Sequence, residues 1–83
     1  GSAEVDFCFQ HNDKIVGLEV KSGNSKNLKS LFSMINIGGD KVIPVRVSWD
    51  KLGEEYYKHD GKNYKIFSLP FYLLEKWRDL IIL

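Results

Sequence analysis

Asp6 and the run Glu19-Val20-Lys21 are the residues of this chain whose types and spacing could do chemistry. One acid, followed after twelve intervening residues by a second acid two positions ahead of a lysine, makes a set that could manage a divalent cation and a phosphodiester. Mg²⁺ prefers oxygen ligands and keeps several waters; bound beside a phosphate it lowers the pKa of an attacking water and neutralises developing charge. In that chemistry Asp6 and Glu19 would hold Mg²⁺ or Mn²⁺, the backbone carbonyl of Val20 would add a ligand, and Glu4 would serve as an accessory acid. Lys21, a mobile point charge, would hold the scissile phosphate or position the nucleophilic water. The competing reading is a set of solvated charges on the open face of a sheet. Acid-x-lysine also occurs at Asp60-Gly61-Lys62, in a turn with no strand context.

The elements that must position these residues are written in the hydrophobic pattern. Over residues 5–9 the chain alternates, with Val5, Phe7 and Phe9 on one face and Glu4, Asp6, Cys8 and Gln10 on the other, as a strand requires. His11-Asn12-Asp13-Lys14 is a turn cluster. Residues 15–21 resume the alternation, with Val16, Leu18 and Val20 inward and Gly17, Glu19 and Lys21 opposite, so the two runs predict an antiparallel hairpin. Ser22-Gly23-Asn24-Ser25 breaks the strand and offers an N-cap. Leu28, Leu31, Phe32 and Ile35 then recur at helical spacing for about three turns, until Gly38-Gly39 permits a left-handed cap. Residues 41–49 read as a further strand, and strand, helix, strand implies a parallel crossover. Pro44, lacking an N–H, belongs on an edge strand or at a bulge. Tyr56-Tyr57-Lys58, an Asp60-Gly61 turn and residues 63–69 predict a second hairpin. After Pro70, the spacing of Leu73, Leu74, Trp77, Leu80 and Ile81 predicts a helix packed on the sheet.

With 83 residues, a formal charge of +1 and no repeat or low-complexity stretch, the chain has material for one small α/β domain with one core. Near-neutrality gives no broad basic footprint for nucleic acid, so any such binding must be local. Cys8 is alone and cannot form an internal disulfide, and no apolar stretch is long enough to span a bilayer, so a cytoplasmic setting is expected and no membrane partner. Gly1-Ser2 reads as an expression-tag scar, leaving residues 3–83 as one domain whose abrupt start inside a strand pattern suggests a larger parent.

Ala3-Glu4-Val5-Asp6-Phe7, Leu18-Glu19-Val20-Lys21-Ser22-Gly23 and Lys29-Ser30-Leu31, with Val45-Arg46-Val47-Ser48 and Ser68-Leu69-Pro70-Phe71-Tyr72, resemble the C-terminal domain of unknown function attached to bacterial and archaeal AAA-type ATPases. That family in turn resembles the PD-(D/E)XK nuclease superfamily. The resemblance implies a partial restriction-endonuclease-like core of β-hairpin, helix and parallel crossover strand, followed by the second hairpin and C-terminal helix. It matches Asp6 to the isolated acid of the motif and Glu19 and Lys21 to its acid-x-lysine. It implies a metal-dependent endonuclease-like domain, a parent ATPase module in cis, and DNA as a partner. Two features depart from the pattern: the superfamily's helix before the Asp strand has no counterpart in these residues, and no G-x-x-x-x-G-K-[ST] phosphate loop occurs, so no ATP site is expected. The alternative function is a catalytically inactive interaction or assembly module of the parent ATPase, with homodimerisation through the apolar C-terminal helix.

Other residues carry less. Lys26 and Lys29, on the polar side of the helix, are candidate phosphate contacts, against the plain reading of solvated lysines. His11 and His59 sit in turns without a second ligand at metal spacing and read as surface residues. Cys8 reads as a small, half-buried side chain. Tyr56, Tyr57, Tyr64, Phe67, Phe71, Tyr72 and Trp77 could stack on bases but more simply furnish a core.

Overall fold

Alternating apolar residues on neighbouring segments build a mixed five-stranded sheet in the order β1-β2-β3-β5-β4, in a computed structural model that describes residues 5–20, 28–49 and 51–76. The strands are β1 (Phe7–His11), β2 (Lys14–Val20), β3 (Val42–Ser48), β4 (Gly53–His59) and β5 (Lys62–Pro70), and one helix, α1 (Lys29–Gly38), lies between β2 and β3. β1 and β2 form the expected antiparallel hairpin, with Phe7 opposite Leu18 and His11 opposite Lys14. β2 and β3 run parallel across α1, β3 and β5 run parallel, and β4 closes the far edge antiparallel to β5. The second hairpin turns on Asp60 and Gly61, both at positive φ (52° and 75°), the backbone that a two-residue turn matched to strand twist demands. Among the described residues no helix is long and apolar enough to cross a membrane.

The sheet buries apolar side chains on both faces. Val16, Leu18, Val45, Val47 and Leu69 form one cluster, with Leu73 and Leu74 packed against it. On the opposite face Leu28, Leu31 and Phe32 of the helical segment meet Tyr64 and Ile66. Gly17 lets α1 come close: a Cβ there would lie 2.5 Å from the Met34 sulfur and 3.5 Å from Leu31. Hence β2 is covered on both sides, and Glu19, expected on an open polar face, is 6% exposed.

Several expectations change with this packing. Pro44 is not on an edge strand; β3 is the central strand. Pro44 nevertheless precedes the first β3–β5 pair, Val45 with Phe67, so at that position β3 has a neighbour only on the β2 side. Val5 leaves the face of Phe7 and Phe9 because the chain bends at Asp6, and it packs against the α1 cluster instead. Phe7 and Val20, assigned inward, are 61% and 40% exposed, since they lie toward the end of the sheet beyond the cluster. The helix starts after Leu28 without a side-chain cap; Ser22 and Ser25 lie outside the described residues. After Pro70 the described residues form a 3₁₀ segment, Phe71–Lys76, in place of a regular α-helix, and Trp77, Leu80 and Ile81 lie outside them. The aromatic core is smaller than expected: Tyr64 is buried, but Tyr56, Phe71 and Tyr72 are exposed, because alternation on β4 turns Tyr56 away from α1 and the 3₁₀ segment presents Phe71 and Tyr72 outward. Cys8 is exposed rather than half-buried, on an edge strand that no further strand covers among the described residues.

Candidate active site at the carboxyl edge of the parallel strands

Because β2, β3 and β5 are parallel, their C-terminal ends finish along one edge of the sheet, the edge at which open α/β sheets collect ligands. The last three positions of these strands carry Glu19, Arg46, Ser48 and Ser68, all buried. Glu19 is in register with Arg46, and Arg46 with Ser68, so by strand parity the three form a row on the α1 side of the sheet. Glu55 of β4 extends it: its Oε1 accepts a hydrogen bond from the Ser68 hydroxyl and lies 3.5 Å from Arg46 Nη1, while its Oε2 lies 3.8 Å from Lys51 Nζ. Tyr57, two residues along β4, has its phenol pKa raised, first by burial and then by the Glu55 charge, with Arg46 opposing.

Arg46 Nε and Ser48 Oγ are buried and make no hydrogen bond among the described residues. Leaving a buried donor unsatisfied costs roughly 1–3 kcal/mol, so the row holds more polar capacity than its own partners use. Arg46 was readable as an odd residue. A charge between Val45 and Val47 in a strand that follows a helix signals a polar stripe beneath that helix. Glu55 and Ser68 carry no such signal, because alternation on β4 and β5 is compatible with a solvated face.

Asp6 joins this edge through the backbone. Pairing between β1 and β2 ends at Phe7 and Leu18, and one residue further Asp6 Oδ2 accepts a hydrogen bond from the Val20 N–H at 2.8 Å. A side chain thereby continues the ladder where the strand stops, and holds the Asp6 carboxylate on the backbone N–H of the residue that follows Glu19. Asp6 and Glu19 border the same cleft of about 850 Å³, which runs beneath α1 at Met34 and Gly38. Two carboxylates bordering one cleft suit Mg²⁺, which is commonly held by one or two carboxylates and completes its octahedron with water. Among the described residues no group of three His, Cys, Asp or Glu is assembled for a metal. Glu4, Lys21 and Lys26 lie outside the described residues.

Lys29, expected near the acids, borders a different cleft of about 480 Å³ between α1 and the β4–β5 hairpin, together with Asn36, His59 and Lys62. His59 is more than a surface turn residue. Its ring stacks on Phe32 at 5.1 Å between centroids, and Phe32 stacks on Tyr64 at 4.4 Å.

Compared with family models, curated proteins and solved structures, the chain matches none. Its functional reading therefore rests on its own residues.

Proposed function

We propose that this chain is a metal-dependent nuclease-like domain of the PD-(D/E)XK type, acting on or binding nucleic acid at the carboxyl edge of its parallel strands. The observation that carries the reading is the meeting of Asp6 and Glu19 at one cleft, with Asp6 fixed by the Val20 N–H. Asp6, Glu19 and the Val20 carbonyl would hold Mg²⁺ or Mn²⁺, Glu4 would assist, and the metal would supply Lewis-acid activation of water and phosphate. Lys21 would hold the phosphate from the next position of the chain. The role of Asp6 is helped by its orientation: one carboxylate oxygen is spent on the backbone, which holds the other at a defined place. A parent ATPase in cis and a cytoplasmic location belong to the same proposal.

The test is a Mn²⁺ titration followed by amide signals, then cleavage of single- and double-stranded DNA. Millimolar Mn²⁺ is expected to broaden the signals around Asp6, Glu19 and Val20, and Glu19→Gln to abolish both the broadening and any cleavage. Unbroadened signals at those positions in the unmodified chain would overturn the reading.

A second reading, an interaction or assembly module, is favoured by one surface. Trp49 is 69% exposed and Phe71 52%, their ring centroids are 6.0 Å apart, and Tyr72 is more exposed still. Exposed aromatics of this kind suit a protein partner or a second copy of the chain. Trp49→Ser with Phe71→Ser is expected to weaken concentration-dependent association in sedimentation; unchanged mass would remove the support.

A further inference from the structure

The cleft between α1 and the β4–β5 hairpin has a chemistry of its own. Asn36 on α1 accepts hydrogen bonds at Oδ1 from Lys62 Nζ at 2.5 Å and from the Tyr64 hydroxyl at 3.1 Å. An ammonium can only donate, so the amide oxygen must face Lys62, and this fixes the orientation of the group. Its NH₂ is therefore the side of Asn36 left for a ligand. Lys62 contributes an ammonium donor, and Asp60, the acid bordering the cleft, lies 3.4 Å from His59 Nε2. The Lys62 ammonium and the Asn36 NH₂ together make this wall rich in donors, which favours an acceptor-rich anion.

The other wall is aromatic. Tyr64 and Phe32 are buried beneath, Lys62 lies 5.4 Å over the Tyr64 ring, and His59, stacked on Phe32, is the ring with side-chain exposure. A planar π-system continuing that stack would lie next to the donors. The volume of about 480 Å³ falls within the range of small-ligand clefts.

We propose that this cleft is an anion site for a nucleotide, with the phosphate held by Lys62 and the Asn36 amide and the base against His59. The site stands apart from the Asp6–Glu19 cleft and requires no metal. Its ligand is either a free nucleotide or one nucleotide of a single strand, and the phosphate and base chemistry is common to both.

The experiment titrates the full chain, without metal, with inorganic phosphate, a purine mononucleotide, and a short single-stranded DNA lacking terminal phosphates. The readouts are the Asn36 side-chain amide and His59 ring signals. The mononucleotide, the oligonucleotide or both should shift these signals saturably, and whichever binds identifies the source. Lys62→Gln, an exposed change that leaves the fold intact, should weaken binding about tenfold, as loss of one charge-assisted hydrogen bond implies. Asn36→Asp, which replaces donors with a carboxylate, should abolish it. Absence of saturable shifts at millimolar nucleotide and oligonucleotide, or unaltered affinity in Lys62→Gln, would overturn the site; inorganic phosphate binding as tightly as the nucleotide would overturn the role of the base. Repeating the titration in Glu19→Gln separates this site from the proposed nuclease edge, since binding should persist there whether or not metal chemistry exists.

Discussion

The two clefts flanking α1 are built in opposite ways. At the carboxyl edge the polar groups are bound to the sheet: Glu19 and Arg46 are buried in register with Ser68, Glu55 joins Arg46 to Ser68, and exposed Asp6 is tied to a backbone N–H. At the hairpin cleft the charges are exposed, and the buried floor consists of the Phe32 and Tyr64 rings. A buried charge that loses its partner destabilises the fold, whereas an exposed one changes mainly what can bind. The first region therefore couples function to folding, and the second does not. What they share is α1, whose Leu31 and Phe32 are packed into the same face of the sheet that carries both.

The largest effect should come from that shared element. Leu31 is fully buried, and Leu31→Ala should cost about 2–5 kcal/mol in denaturant unfolding, as cavity-forming changes do. Signals from both clefts should shift together. If the Asn36 and Glu19 regions responded independently, α1 would not be their common support.

Next in size is the contrast between two cations. Arg46→Met should destabilise by about 3 kcal/mol, the low end for a broken buried pair, because Glu55 is about a quarter exposed and keeps Lys51 nearby. Lys62→Gln should fall within about 0.5 kcal/mol of the parent. Equal costs in urea titrations would erase the distinction between the regions. Smaller again is Asp6, exposed but engaged. Asp6→Ala should lose about 1 kcal/mol with the hydrogen bond to the Val20 N–H, while Asp6→Asn, which retains an acceptor oxygen, should recover most of it. Faster amide exchange at Val20 in the alanine variant alone would locate the effect.

The sequence revealed order along the chain better than depth within it. Both hairpins, α1 and the parallel step from β2 to β3 follow from alternation, turn chemistry and helical spacing, because those signals are local. Depth depends on which element covers which face. Glu19 reads as an open-face acid until Gly17 is seen to admit Met34 and bring α1 down onto β2. Pro44 reads as an edge residue because the chain order does not say that β5 inserts between β3 and β4. Asp6 was identifiable by type, but its bond to Val20 depends on the exact residue at which pairing stops, and Arg46, Glu55 and Ser68 become neighbours only through long-range register. Lys29, grouped with the acids by proximity in sequence, belongs to the other cleft because α1 carries it toward the β4–β5 hairpin.

The smallest effect distinguishes the regions of β4 by pH. Tyr57 and Tyr56 both have phenol pKa values raised above the ordinary 10, for different reasons: burial leads at Tyr57, followed by the Glu55 charge, whereas Tyr56 donates a hydrogen bond to Glu54 at 3.0 Å on an exposed surface. A pKa that is higher in the folded state gives stability that is fully present below the unfolded value near 10 and is lost as pH rises through the folded value. Melting temperatures should therefore fall above pH 10, and Tyr57→Phe and Tyr56→Phe should each make that fall shallower. Salt separates them. The shift of Tyr56 comes first from its hydrogen bond to Glu54 and then from the Glu54 charge. That solvent-facing second part should shrink with added salt, while the contribution of Tyr57, set first by desolvation, should persist. If salt flattened both alike, Tyr57 would be responding to surface charge, and the buried row would end at Glu55.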